Sequence, residues 1–143
     1  MFFVKHRLIT AGLVVLIAFL ISNCSAVPLS DQTAPTIQNI TPSSKVVAKS
    51  DCIPTSLTIT ADIADRSGVQ SAVLWFRVGD DQSFAPLDMT PAAQGQYSAT
   101  VKGLDVPGGE YGVFEFYIVA NDKAGNQTKS STDKSVQLLP CVG

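Results

Sequence analysis

The chain has 143 residues, 45% of them hydrophobic, a formal charge of −2 and a sequence pI of about 5.1. That length accommodates one domain once an N-terminal segment is set aside. The acidic balance, with no run of Lys or Arg anywhere, excludes the basic surface that a nucleic-acid binder needs.

The first expected element is an export segment. Lys5, His6 and Arg7 form a positive flank, and an apolar run follows from Leu8 to Ile21. As a helix that run is about 21 Å long, short of the ~30 Å hydrocarbon core of a bilayer. The length suits a signal peptide over residues 1–23 better than a spanning helix. An uncleaved anchor helix is the alternative, with the basic flank on the cytoplasmic side and everything after Cys24 outside. Residues 1–23 hold Lys5 and Arg7 and no acidic residue, so their removal leaves a charge of −4 rather than −2. That is a mild, solubilising charge. Residues 24–34 are small and polar with no period, and they read as a flexible tether.

From Pro35 onward the hydrophobic period is two, with turn residues between the runs. Ile37 and Ile40 mark an irregular edge strand. Leu57, Ile59, Ala61 and Ile63 alternate with Thr58, Thr60 and Asp62, and the turn Asp65-Arg66-Ser67-Gly68 closes that strand. Val69 to Val78 form the next strand, and a shorter one surrounds Ala85, Leu87 and Met89. Tyr97, Ala99 and Val101 alternate with Ser98, Thr100 and Lys102. Val113 to Ala120 form a long strand, followed by the turn-rich segment 121–126 and a last strand holding Val136 and Leu138. About seven short strands without a helical period predict an all-β chain, folded as an antiparallel β-sandwich over residues 35–143.

Two resemblances add to this reading. Ile21-Ser22-Asn23-Cys24 resembles the lipobox of bacterial lipoproteins. The resemblance implies cleavage before Cys24, a diacylated Cys24 as the new N-terminus, and a position in the cell envelope facing the periplasm or the exterior. Asn23 departs from the Gly, Ala or Ser preferred before the cut, and ordinary cleavage after Ala26 is the alternative. Either route leaves Cys52 and Cys141, which an oxidising compartment allows to pair.

The stretches LTITADIADRSGVQSAVLWFRV, QYSATV and FEFYIVANDKAGN resemble the immunoglobulin-like and fibronectin-III-like domains of bacterial surface proteins, across roughly residues 33–140. Such modules act as spacers, adhesion units or accessory binding domains, so the resemblance carries more about fold than about function. The chain departs from antibody domains, whose Cys pair lies in the second and sixth strands. Ala61 or Ile63, and Ile118 or Ala120, stand at those places. In the immunoglobulin-like topology Cys52, before the second strand, and Cys141, after the last, fall at the same pole. A disulfide between them is therefore expected, with two free thiols as the alternative.

Charge decides which strand faces form the core, because an unpaired buried charge costs several kcal/mol. Ala72, Leu74, Phe76 and Val78, with Phe114, Phe116, Ile118 and Ala120, form charge-free faces that belong inside. Trp75, Arg77, Glu115 and Tyr117 then share the outer face of one sheet, with the Trp and Tyr exposed. Such a face could stack a sugar ring or anchor a protein. It could equally be a plain cross-strand Arg–Glu pair beside two surface aromatics. Asp62, Asp65, Asn121 and Asp122, with Asn126, gather at one pole as candidate Ca²⁺ ligands. The same residue types also serve tight turns by capping their own backbone.

No cofactor is expected and no catalytic site. His6 is the only histidine and lies in the signal segment, so the exported chain lacks a Ser–His–Asp or Cys–His set and a His-ligated zinc site. A carboxylate pair such as Asp62 with Asp122 is the sole remaining route to glycosidase chemistry. The expected partners are the membrane, through the N-terminal lipid or anchor helix, and a protein or glycan ligand. The leading expectation is a non-catalytic binding or adhesion module. A purely structural envelope spacer and a carbohydrate-active enzyme are the alternatives.

Overall fold

The computed structural model describes residues 30–49, 52–80, 82–109 and 111–140. The signal segment, Cys24 and Cys141 lie outside the described residues. No helix among the described residues is long and apolar enough to cross a membrane. A compact unit runs from Asp31 to Gly143, so the domain takes in the last four residues expected of the tether.

Alternation builds the first sheet. In β3 (Ser56–Ala64), Leu57, Ile59, Ala61 and Ile63 are all buried while Thr58, Thr60 and Asp62 point outward. β7 (Gln96–Lys102) pairs antiparallel with β3 from Ser56↔Lys102 to Asp62↔Gln96 without a slip. The unbroken register places Ala99 and Val101 on the same inner face, and sets the outer Thr58 and Thr100 hydroxyls 2.9 Å apart. β1 (Thr36–Pro42) lies on the other edge of β3. One extra residue between Gln38 and Thr41 bulges that pairing, and Asn39 takes a φ of 51° there. Asn is among the side chains best suited to that region. β6 (Thr90–Pro91) ends the sheet beside β7, an edge place where the missing proline N–H costs no ladder bond.

The second sheet is centred on β4 (Val69–Val78) and β8 (Gly112–Asp122), which are paired over nearly their whole length. β5 (Ala85–Asp88) adds to β4. β10 (Asp133–Leu139) adds to the start of β8, and β9 (Gln127–Lys129) to its end. β2 (Val46–Ala48) then joins β10 in parallel. Thus the chain leaves one sheet after β1 and enters the other at β2. Ser43 holds that crossing: its N–H donates to Thr58 O at 2.8 Å and its hydroxyl accepts from Thr58 N at 3.0 Å.

Both sheets turn their apolar faces to one core. Leu57, Ile59 and Val101 from the first sheet lie in the same cluster as Leu74, Phe76, Phe114, Phe116, Ile118 and Leu138 from the second. Phe76 and Phe114 stack at 5.6 Å between centroids, and Phe114 meets Phe116 at 5.9 Å. The architecture is all-β, in two sheets, and compatible with a β-sandwich. The described residues hold ten strands rather than about seven. The additional three, β2, β6 and β9, are two or three residues each, too short to show a period in sequence.

One glycine is required by contact. A Cβ on Gly103 would lie 1.8 Å from the Ala48 carbonyl oxygen, while the Gly103 N–H donates to Thr55 O at 2.8 Å. Here the β7 end, the β2 end and the 52–55 segment close on each other, at the end of the domain away from Asp31.

Candidate functional site

Antiparallel register creates the outer-face cluster. With Leu74 and Phe76 inward, Trp75 and Arg77 turn outward, and β8 places Tyr117 and Glu115 directly opposite them. Side chains so paired have Cβ atoms about 4.5–5.5 Å apart and interact. The Trp75 and Tyr117 rings stack at 6.3 Å, inclined by 10°. Lys129 of β9 places its Nζ 3.8 Å from the Tyr117 ring centroid, a cation–π distance.

The β4–β5 hairpin folds back over this face. Phe84 meets Tyr117 at 4.8 Å and 60°, and the Arg77 guanidinium lies 4.5 Å from the Phe84 centroid. Arg77 holds the hairpin as well. Its Nη1 donates to Asp80 O at 3.0 Å and Gln82 O at 3.2 Å, while Nε and Nη2 donate to Glu115 Oε2 at 3.0 and 2.8 Å. Lys134 of β10 donates to Glu115 Oε1. Glu115 is consequently only 4% exposed. The Lys134 hydrogen bond, then that of Arg77, hold its carboxyl below the ordinary glutamate value of 4.5 against the opposing effect of burial.

All four expected face residues therefore meet, but not as a freely exposed flat surface. Trp75, Arg77 and Tyr117 are half-buried and Glu115 is buried. The physical reason is the cover supplied by Phe84, Lys129 and Lys134. Sequence reasoning left these three unassigned. Phe84 sits in a hairpin loop with no period to place it, and the two lysines come from a neighbouring edge.

The acidic pole is assembled differently from expectation. Asp62 points out from β3 and accepts from Asn39 Nδ2 at 2.8 Å. Asn121 donates to Ser71 Oγ at 3.1 Å and accepts from Gln127 Nε2 at 2.9 Å. Neither joins a carboxylate cluster. Asp65 and Asp122 do, and the third member is Asp31: one carboxylate oxygen from each lies within 4.8 Å of the others. Asp65 Oδ1 accepts from Ser67 N and Oγ, both at 2.7 Å, as an Asx turn. Asp122 is fully buried, and its two oxygens accept from Asn126 N at 2.7 Å and Asn126 Nδ2 at 2.8 Å. That same Nδ2 lies 3.0 Å from Asp31 O and 3.1 Å from Thr33 O, which ties the N-terminal strap to the β8–β9 turn.

Hydrogen bonds keep both carboxyls below the usual aspartate range. For Asp31 the Thr33 hydroxyl is the main cause, then the Thr33 N–H, with Arg66 acting through its charge. For Asp122 burial pushes upward, and the donors of Asn126, Gly125 and Ala124 together outweigh it. Cys52, between β2 and β3, is not a free thiol.

No protein-family model matches the chain, and no curated protein matches it.

Proposed function

We propose that this chain is an exported, lipid-anchored envelope protein whose single immunoglobulin-like domain is a non-catalytic binding module. It engages a glycan or protein through the Trp75–Tyr117 face. The carrying observation is the parallel ring pair of Trp75 and Tyr117, flanked by Phe84 and by the cations of Arg77 and Lys129. Aromatic faces beside cations suit sugar rings and the anchor residues of a protein partner.

The immunoglobulin-like assignment is supported by the strand orders β1-β3-β7-β6 and β2-β10-β8-β4-β5 and by the crossing of the chain between sheets at β2. The Cys52–Cys141 pairing is supported by the bonded state of Cys52. It is also supported by the place of the 52–55 segment: Ala48 N donates to Pro54 O and Lys49 N to Leu139 O, so residues 53–54 lie near the chain that leads to Cys141. The lipid anchor on Cys24 rests on the Ile21–Cys24 motif alone. Two or more acyl chains, as on a lipoprotein cysteine, suffice for stable anchoring where one does not.

One observation favours a second reading, a structural spacer. Four of the donor contacts of Arg77 go to Glu115, Asp80 O and Gln82 O, so much of the polar capacity of the face is satisfied within the domain. The test is retention of the full-length protein, in detergent, on purified envelope polysaccharide and on immobilised envelope proteins. Retention on one matrix, reduced at least tenfold in a folded Trp75→Ala variant, is the expected outcome. Retention on neither matrix, or equal retention of the variant, assigns the spacer role.

A further inference from the structure

We propose that two copies of this chain associate tip to tip, through an apolar patch at the pole opposite the N-terminal strap. Among the described residues, the large hydrophobic side chains left exposed are Ile53, Leu104, Tyr111, Val113 and Leu139. All of them lie at this one pole. Ile53 precedes β3, Leu104 follows β7, Tyr111 precedes β8, Val113 lies at the start of β8 and Leu139 ends β10. Hydrogen bonds draw these segments together. Ala48 N donates to Pro54 O at 2.7 Å, Gly103 N to Thr55 O at 2.8 Å and Lys49 N to Leu139 O at 3.4 Å. Lys49 Nζ donates to Gly108 O at 2.8 Å and to Gly109 O at 3.1 Å, which brings in the segment before Tyr111.

Exposed apolar residues scattered singly are ordinary, but a gathered set marks an interaction site. With exposures from 37% for Val113 to 93% for Ile53, these side chains form a patch on the order of 500 Å². Two such patches in contact remove on the order of 1,000 Å² from solvent, about the least that a specific interface needs.

Charge selects a second copy as the occupant. Lys102 and Asp105 flank Leu104, both are exposed, and neither forms an ion pair with another described residue. A two-fold contact lays the patch on its own reversed image. Lys102 of one copy then faces Asp105 of the other, and the same pair forms again across the axis. Asp31, Asp65 and Asp122 gather at the far pole. β3 alone spans about 26 Å, so tip-to-tip pairing keeps the two carboxylate clusters about 50 Å apart, well beyond a ~10 Å Debye length. An anionic lipid surface is the poorer occupant, because the chain itself is acidic. This contact does not rest on the reading of the Trp75–Tyr117 face.

Sedimentation velocity of the full-length protein in density-matched detergent, from about 1 µM to 1 mM, tests the pairing. A reversible monomer–dimer equilibrium is expected. Leu104→Asp and Tyr111→Asp, at positions 71% and 73% exposed and so outside the core, should each raise the dimer Kd at least tenfold. Lys102→Asp and Asp105→Lys should each raise it about two- to fivefold, and the two together should restore it. Asp62→Asn, near the far pole, leaves it unchanged. Melting curves establish that each variant is folded. Monomer alone at about 1 mM overturns the proposal. So does a dimer that the folded Leu104→Asp and Tyr111→Asp variants both retain, because it then forms through another surface or through N-terminal segments sharing a micelle. Single charge variants that weaken the dimer without rescue by the double exchange overturn the two-fold arrangement.

Discussion

At the residue scale, Glu115 shows how a charge can occupy a buried place in a sheet. Arg77 crosses from the paired strand and Lys134 comes from the neighbouring edge, so both carboxylate oxygens are engaged by cations. Because the folded-state value lies below 4.5, the carboxylate contributes its full stability above about pH 4.5. The contribution then falls away as pH drops through the lower, folded-state value. Glu115→Gln should cost about 1–2 kcal/mol at pH 7, where its charge-assisted hydrogen bonds are weakened. Melting curves from pH 7 to pH 2 should show the two proteins converging at the acid end. Parallel profiles across that range would contradict the role given to the ion pairs.

At the scale of elements, β8 joins the core and the candidate face in one strand. Phe114, Phe116 and Ile118 are buried while Tyr117 and Val119 point the other way, and β4 pairs to β8 from Ser71 to Val78 in a register that preserves this alternation, whereas the β10 pairing shifts between Asp133 and Val136. Removing an inward ring leaves a cavity that the stacked Phe76 and the tilted Phe116 must collapse into. Phe114→Ala should therefore lower the unfolding free energy by about 3–5 kcal/mol. Val119→Ala, on the half-buried outer face, should cost under ~1 kcal/mol. Chemical denaturation with both variants checks the difference, and equal losses would mean that the two faces are not distinguished as described.

At the scale of the whole molecule, the domain has two unlike ends. β3 alone, from Ser56 to Ala64, separates them by about 26 Å. One end holds the carboxylate cluster and the N-terminal strap. The other holds Cys52, Gly103 and the end of β10. A disulfide from Cys52 to Cys141 would close a loop of about 90 residues, which restricts the unfolded chain strongly. Cys52→Ser should then destabilise the protein by about 2–5 kcal/mol, and reductant should reproduce that loss in the natural chain. Urea transitions measured with and without reductant test this, and superimposable curves would remove the disulfide from the account.

Most of the strand pattern was legible in the chain itself, because a two-residue period with charges on alternate positions admits only one choice of inner face. Leu57 to Ile63, Ala72 to Val78 and Phe114 to Ala120 all bury the side that the alternation indicated. That Trp75, Arg77, Glu115 and Tyr117 share one outer face also followed from assigning those faces, whereas the register that sets Trp75 opposite Tyr117 came from the sheet itself. Three things depended on tertiary structure alone. The short strands β2, β6 and β9 form only because a longer neighbour offers them a ladder. Glu115 can be buried as a carboxylate because Lys134 reaches it from β10 and Arg77 from β4. Asp31 joins Asp65 and Asp122, in place of Asp62 and Asn121, because the strap is hydrogen-bonded back onto the β8–β9 turn. Local alternation is written into successive residues. The convergence of side chains from distant segments is set by register, chain crossing and the closing of loops, and these exist only once the sheets have formed.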